Sequence, residues 1–198
     1  MSWDATVCGF WFYEAPQWSD WHPAPELAAF MERRPIVLSL GSQPLADPDG
    51  VVGRHVEAAR ILGRPILVQS GWAGLRGEDS PDVLFQGFLP QDWLFARAAR
   101  VIHHGGAGTI ARAIRNACPM LVEPWGNDRF FNAIMVLKRG LGAAVNPKKA
   151  RPEELARVIE EKVLSRGTRH CIALMAQRIS SEDGTGSAVS AISRWLGS

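Results

Sequence analysis

A short glycine-rich stretch near the middle of the chain limits what this sequence can fold into more than any other feature. Residues 103–109 read HHGGAGT; they follow the apolar pair Val101 and Ile102 and precede residues 110–115, which have the composition of a helix. A strand, a glycine turn and a helix start in this order leave backbone N–H groups unpaired at the positive end of a helix dipole. Because glycines also let a ligand approach the backbone, the pattern predicts a site for a phosphate or diphosphate group.

Composition and charge narrow the class of protein. The chain has 198 residues, of which 46% are hydrophobic and 21% charged, as in an ordinary globular domain. A formal net charge of +2 gives no reason to expect nucleic-acid binding. The three cysteines are far apart and odd in number, which favours a reducing compartment. Since we find neither a signal-peptide pattern nor an apolar run of the roughly 18–20 residues that span a membrane, we expect a cytoplasmic protein.

Apolar runs alternate with segments of helical composition along the chain. The expected strands are residues 36–40, 66–69, 83–85, 100–103, 120–123 and 143–145. This alternation predicts an α/β fold, a Rossmann-like parallel sheet of about six strands with helices on both faces. Ligands of such sheets lie at the carboxyl ends of the strands. Two glycine turns, one at Gly41 and Ser42 and one at residues 103–109, each follow a strand directly, so we expect both to face one crevice.

The glycine stretch also fits other interpretations. Gly106, Gly108 and Ala111 match the dinucleotide pattern GxGxxG/A, and Glu123 follows 17 residues after Gly106, roughly where a ribose-binding acid belongs. A nicotinamide- or flavin-binding module of an oxidoreductase is therefore an alternative, as is a turn with a purely structural role. A P-loop is excluded because no Gly-Lys-Ser/Thr sequence is present.

Two patterns suggest metal ligands at first sight. His103 and His104 are neighbours on a strand, so their side chains should point to opposite faces, one to the crevice and one to the interior. Residues 47–50 (DPDG) resemble a metal-binding DxD, but the composition favours a turn that leads into the next helix. We therefore predict no metal site.

The N-terminal segment is unusually aromatic, since it holds four of the eight tryptophans: Trp3, Trp11, Trp18 and Trp21. Such rings need something to bury them. Either the segment wraps back on the body of the protein, or it forms the joint to a part that this chain lacks. We expect an exposed or loosely packed apolar patch close to the crevice.

Several spaced motifs in a fixed order carry a family resemblance. The motif at 103–109 is preceded by residues 88–95 (FLPQDWLF) and followed by residues 119–124 (PMLVEP) and 126–132 (GNDRFFN). Together they resemble the carboxyl-terminal half of a GT-B glycosyltransferase of family 1, in the bacterial antibiotic and sterol 3-beta-glucosyltransferase branch. The resemblance implies one half of a GT-B fold, with residues 1–22 as an interdomain-linker-like segment and residues 23–198 as a nucleotide-sugar donor-binding domain.

The resemblance also implies a role for particular residues. Those that would hold the diphosphate of a nucleotide sugar, a UDP- or dTDP-hexose, are Ser42, His103, Gly106, Ala107, Gly108 and Thr109. Those that would border the base are Phe88, Pro90 and Gln91, and those that would bind the sugar are Asp128 and Arg129. His103, rather than His104, is the histidine that the resemblance places in the crevice. No cofactor and no metal are implied.

The chain departs from the family pattern in three places. Arg129 replaces the glutamine of the usual Asp/Glu-Gln pair, and Phe88 stands where many members have a base-stacking tryptophan. The acidic residue that many members use for the ribose hydroxyls would fall at Ala111. These departures leave open both the sugar and the choice between a uridine and a deoxythymidine donor.

The resemblance covers only half of such a transferase. In this family the acceptor pocket and the histidine base belong to the amino-terminal half, and neither His22 nor His55 is placed to substitute for that base. We therefore expect this chain to be a hexosyltransferase fragment that is inactive alone. Its expected partners are a nucleotide sugar, an amino-terminal acceptor domain in the same or a separate chain and, if the acceptor is a lipid, a membrane surface.

Overall fold

The computed structural model describes residues 5–41 and 44–197. Its six strands are β1 (Ile36–Ser39), β2 (Ile66–Gln69), β3 (Val83–Gln86), β4 (Arg100–His103), β5 (Met120–Val122) and β6 (Gly142–Ala144). Its α-helices are α1 (Pro25–Glu32), α2 (Pro48–Ile61), α3 (Gln91–Arg97), α4 (Ala107–Arg115), α5 (Asp128–Lys138), α6 (Pro152–Val158), α7 (Arg166–Ser180) and α8 (Gly184–Leu196). A 3-10 turn spans Pro16–Trp18, and a π-helical turn, Ile159–Val163, continues α6.

The strands form one parallel sheet in the order β3-β2-β1-β4-β5-β6. Helices α2 and α6 cover one face, whereas α1, α3, α4, α5 and α7 contribute to the core on the other. Four of the strands, β1, β2, β4 and β5, are buried at every position, which explains their continuous apolar runs. The predicted α/β fold is confirmed.

The helix α2 begins where the sequence predicts a turn. The Asp47 carboxylate accepts a hydrogen bond from the Gly50 backbone N–H at 2.9 Å, and Pro48 occupies the first turn. Asp47 therefore caps a helix, which is the structural role that the DPDG composition favours.

The described part of the N-terminal segment folds back onto the body. The Trp21 ring packs edge-on against Trp93 of α3, with centroids 5.1 Å apart, and the Glu14 carboxylate pairs with Arg115 of α4 at 2.8 Å. Trp11 and Tyr13 stay 66% and 71% exposed. The expected apolar patch is thus only partly present, because other rings of the segment pack against helices; Trp3 lies outside the described residues.

None of the helices between residues 5 and 197 is long and apolar enough to cross a membrane.

The edge pairing of β6 requires glycine at position 142. A Cβ atom added there would lie 1.8 Å from the Met120 carbonyl oxygen, so Gly142→Ala should destabilise the fold by about 1–3 kcal/mol or more. The exposed Gly53 in α2 has open space around it, so Gly53→Ala should instead stabilise by about 0.4–1 kcal/mol. Urea unfolding of the two variants measures both changes; equal midpoints would contradict the expectation.

Candidate functional site

The two glycine turns lie side by side because β1 and β4 are paired neighbours. Ser39 stands opposite His103 in the parallel register, so the turns that follow these residues leave the sheet at the same edge. The strand order also reverses between β1 and β4, which makes this the switch point where open α/β sheets bind ligands. The expectation that the two turns lie at the same edge of the sheet is confirmed, whereas a shared ligand crevice stays a prediction; Ser42 itself lies outside the described residues.

The N-terminus of α4 has the features of an anion site. Gly106 is its N-cap residue, and no side chain among the described residues caps the helix. The first backbone hydrogen bond of the helix runs from the Ile110 N–H to the Gly106 carbonyl. The amides of Ala107, Gly108 and Thr109 therefore precede the first intrahelical bond, and the first two of these residues are exposed. N–H groups at a helix start favour negative charge.

His103 lies beneath this loop, fully buried. Its Nδ1 accepts a hydrogen bond from the Gly105 N–H at 3.1 Å, while Nε2 is buried without a partner among the described residues. Burial, with a smaller effect of His104, lowers the pKa of His103 to about 3. The ring is therefore neutral at neutral pH, and it shapes the glycine loop from below.

His104 is the histidine that lies between the two turns. A Cβ on Gly41 would come within 2.9 Å of its Cε1, and a Cβ on Gly106 within 2.6 Å of its Nε2. The ring is partly exposed, and burial followed by the Arg129 charge lowers its pKa to about 4, against an opposing effect of Asp128.

This geometry reverses the predicted orientation of the histidine pair. The structure buries His103 and leaves His104 partly exposed between the two turns, which is the opposite of the predicted orientation; which histidine contacts a phosphate stays a prediction. Alternation along a strand places the two side chains on opposite faces, but it does not say which face is covered. Val101, which shares the face of His103, belongs to the core under α4, so packing of that helix buries His103.

Asp128 and Arg129 lie at the start of α5, next to the glycine loop. The Asn132 side-chain amide donates to both the Asp128 carboxylate (3.2 Å) and the Gly105 carbonyl (3.0 Å). Arg129 donates to the Trp125 carbonyl at 3.2 Å. The structure therefore brings both predicted sugar-binding residues to the edge that carries His104, and Asn132, which the sequence reasoning did not single out, links them to the loop.

The residues predicted to border a base line a small separate cavity. Phe88, Pro90 and Gln91 surround a volume of about 240 Å³ together with the N-terminal segment around Tyr13. Phe88 is 61% exposed, so its ring is available to a planar group. The nearby Arg112 bridges the Asp92 carboxylate and the Tyr13 carbonyl, which holds the segment against α3 and α4.

Ala111 does not face this region. It is buried and only 4% exposed, whereas the following residue, Arg112, reaches toward the base-bordering loop. The two side chains point in different directions because one residue along a helix rotates a side chain by about 100°.

Glu123 directly follows β5 and is fully buried. Its carboxylate pairs with Arg54 and with His55 Nε2, each at 3.2 Å, and His55 Nδ1 bonds the Val51 carbonyl at 2.7 Å. Burial would raise the pKa of Glu123, but His55 and then Arg54 lower it below its ordinary value. Glu123 cannot reach a ribose, so the dinucleotide interpretation loses its acidic residue.

Within residues 5–41 and 44–197, no group of three or more His, Cys, Asp or Glu side chains is placed to hold a metal ion. The charges near the crevice are instead those of Asp128, Arg129 and the helix terminus.

Comparison with known proteins assigns the chain to a family. Residues 76–189 match the family described as Erythromycin biosynthesis protein CIII-like, C-terminal domain. This match covers more than half of the chain, which therefore belongs to that family. The region matched includes the glycine loop and the start of α5.

Relatives and solved structures agree with this assignment. A sterol 3-beta-glucosyltransferase of Arabidopsis thaliana is 32% identical over 185 residues, which are 90% of this chain and 30% of that protein. The glycotransferase of kitacinnamycin superposes with a TM-score of 0.75 at 23% identity, over 92% of this chain and 47% of that one. The glycosyltransferase VinC, in complex with dTDP, has a TM-score of 0.66 at 20% identity, over 82% and 42%.

These comparisons confirm the resemblance to the carboxyl-terminal part of GT-B glycosyltransferases and do not favour an oxidoreductase. The chain spans 14–30% of the length of the curated relatives and 42–47% of the length of the solved structures that it matches. Which residues bind a ligand stays a prediction.

Because His103 is buried and neutral, acid should destabilise the fold. The unfolded chain takes up a proton below the ordinary pKa of 6.5, whereas the folded chain does so only near pH 3. This difference should lower the free energy of unfolding by about 1.4 kcal/mol per pH unit as pH falls through that window. His103→Asn keeps an acceptor for the Gly105 N–H without titrating, so its urea-unfolding curve should have a shallower pH dependence. The same pH dependence of the free energy of unfolding in wild type and His103→Asn would contradict the conclusion that His103 is buried and neutral.

Proposed function

We propose that this chain is the donor-binding half of a glycosyltransferase that transfers a hexose from a nucleotide sugar to an acceptor hydroxyl. The observation that carries the proposal is the uncapped N-terminus of α4 beside the partly exposed His104, at the switch point of the sheet. Family membership and the dTDP complex of VinC support a nucleoside diphosphate as the anion.

The diphosphate would lie on the amides of Ala107, Gly108 and Thr109. A neutral His104 can carry its proton on Nε2, the nitrogen next to Gly106, and donate it to a phosphate oxygen. As the bond between the sugar C1 and the phosphate oxygen breaks, negative charge grows on the β-phosphate. Fixed donors aimed at that charge lower the barrier.

The remaining predicted residues would bind the base and the sugar of the donor. The base would stack on Phe88 beside Pro90 and Gln91, in the cavity that the N-terminal segment completes. The sugar would lie against Asp128, whose carboxylate can accept hydrogen bonds from hydroxyl groups. Arg129 donates to the Trp125 carbonyl, so we assign it to shaping the loop as well as to binding the sugar.

The acceptor site and the catalytic base would lie outside this chain. His55 is buried against Glu123, and His22 bonds the Asp20 carbonyl at 2.9 Å, so neither is aimed at Asp128. We propose an amino-terminal acceptor domain, in the same or a separate polypeptide, as the partner. A hexose as the transferred group and cytoplasmic localisation remain predictions.

The chain should bind UDP or dTDP measurably, though weakly, because a half cleft leaves ordering costs uncompensated. Isothermal titration calorimetry with UDP, dTDP and NADH tests this expectation and distinguishes a glycosyltransferase domain from an oxidoreductase module. Tight NADH binding without a response to either diphosphate would overturn the proposal, and no response to any of the three would leave a fold without donor binding.

Substitution of His104 should weaken binding of the nucleoside diphosphate selectively. Loss of one hydrogen bond to a charged phosphate costs about 1.5–3 kcal/mol, so His104→Ala should raise the Kd roughly 10- to 100-fold. His103→Asn is the matched control, because it alters the buried neighbour and should change stability more than affinity. If only the His103 variant loses affinity, His103 rather than His104 contacts the phosphate.

A further inference from the structure

Three segments near the two glycine turns meet at the buried residue Glu123. Its backbone N–H donates to the His103 carbonyl at 2.8 Å, which ties it to the strand before the glycine loop. Its side chain holds Arg54 and His55 of α2, the helix that follows the Gly41 turn. The residues that follow Glu123 form the turn leading to Asp128.

The His55 ring is held on both sides by oxygen atoms. Nδ1 lies 2.7 Å from the Val51 carbonyl and Nε2 lies 3.2 Å from Glu123 Oε1. Since a carbonyl only accepts, Nδ1 carries a hydrogen, and on its other side Glu123 also forms an ion pair with Arg54 at 3.2 Å. A buried ion pair of this kind is expensive to form and is weak evidence for stability. A contribution to stability alone therefore does not explain why the chain has this cluster.

The turn that leads to Asp128 is strained. Asn127 has φ 50° and ψ −137°, a conformation that non-glycine residues rarely adopt, and Gly126 has φ 79°. Such conformations persist only where the surroundings hold them, and they concentrate at functional sites. One end of the turn is held by Asn132, which bonds both Asp128 and the Gly105 carbonyl.

We propose that the cluster formed by Arg54, His55 and Glu123 holds the other end of this turn, so that Glu123 is a positioning residue for the sugar contact of Asp128. The inference rests on the proposed function, because it assigns Asp128 to the sugar. Glu123 touches neither donor nor acceptor; it acts through the backbone of residues 124–127. The cluster is not required for the diphosphate site on α4.

The test compares two ligands in each variant. Glu123→Gln keeps the shape of the side chain but removes its charge. We expect its affinity for UDP-glucose or dTDP-glucose to fall about tenfold, while its affinity for the matching UDP or dTDP stays within about twofold of wild type. The control is Glu57→Gln, which breaks the exposed pair with Arg60 on the same helix and should leave both affinities unchanged.

A second measurement needs no ligand. Hydrogen exchange of the amides of residues 125–128 should become about tenfold faster in Glu123→Gln than in wild type, because the strained turn loses one restraint. Where Glu123→Gln does not fold, Arg54→Met replaces it. Arg54 is partly exposed, so this change is milder, and Arg54→Lys should restore most of the protection by returning a cation.

The outcomes separate the two proposals. Equal loss of affinity for both ligands, or wild-type exchange of residues 125–128 in the Glu123 and Arg54 variants, would overturn the positioning role. If the wild-type chain binds no nucleotide, the proposed function fails, and the exchange data alone then decide whether Glu123 restrains the turn.

Discussion

The parallel pairing of β1 with β4 is the constraint on which the rest of the structure depends. It sets Ser39 opposite His103, so that two glycine turns far apart in the sequence leave the sheet together. A helix N-terminus next to one such turn would be a weak anion site alone. With the Gly41 turn and the His104 ring beside it, the terminus becomes one wall of a crevice. Both glycine turns are positioned by this pair of strands.

The edge of the sheet at the crevice is polar although the strands that lead to it are apolar. His103, His104 and Glu123 stand at the ends of β4 and β5, where burial penalises a charge. The two histidines respond by staying neutral, as their lowered pKa values indicate. Glu123 instead keeps its charge with the help of His55 and Arg54. Burial at neighbouring positions therefore has two outcomes: the histidines are neutral, whereas Glu123 stays charged beside His55 and Arg54.

Much of the fold and part of the site were predictable from local patterns. Apolar runs and helix-start signals located all six strands within a residue or so of their observed ends, because strand burial and helix capping depend on nearby residues. The residues predicted to border the base and to bind the sugar came from the family resemblance and stay predictions; the structure brings Asp128 and Arg129 to the edge that carries His104. The predicted orientation of the histidine pair differs from the observed one, because the orientation depends on which helix covers which face of the sheet. Glu123 had only a weak signal, a carboxylate at the end of an apolar strand and directly before Pro124.

The sequence by itself determined the elements, the glycine turns and the family, since these depend on residues close together in the chain. Only the tertiary structure decided that His103 is buried while His104 lies between the two glycine turns, and that Glu123 pairs with α2. Both outcomes arise from contacts between segments about 60 to 70 residues apart, such as the 68 positions between His55 and Glu123. Periodicity along one strand says that two side chains diverge, but it carries no information about the helix that will bury one of them.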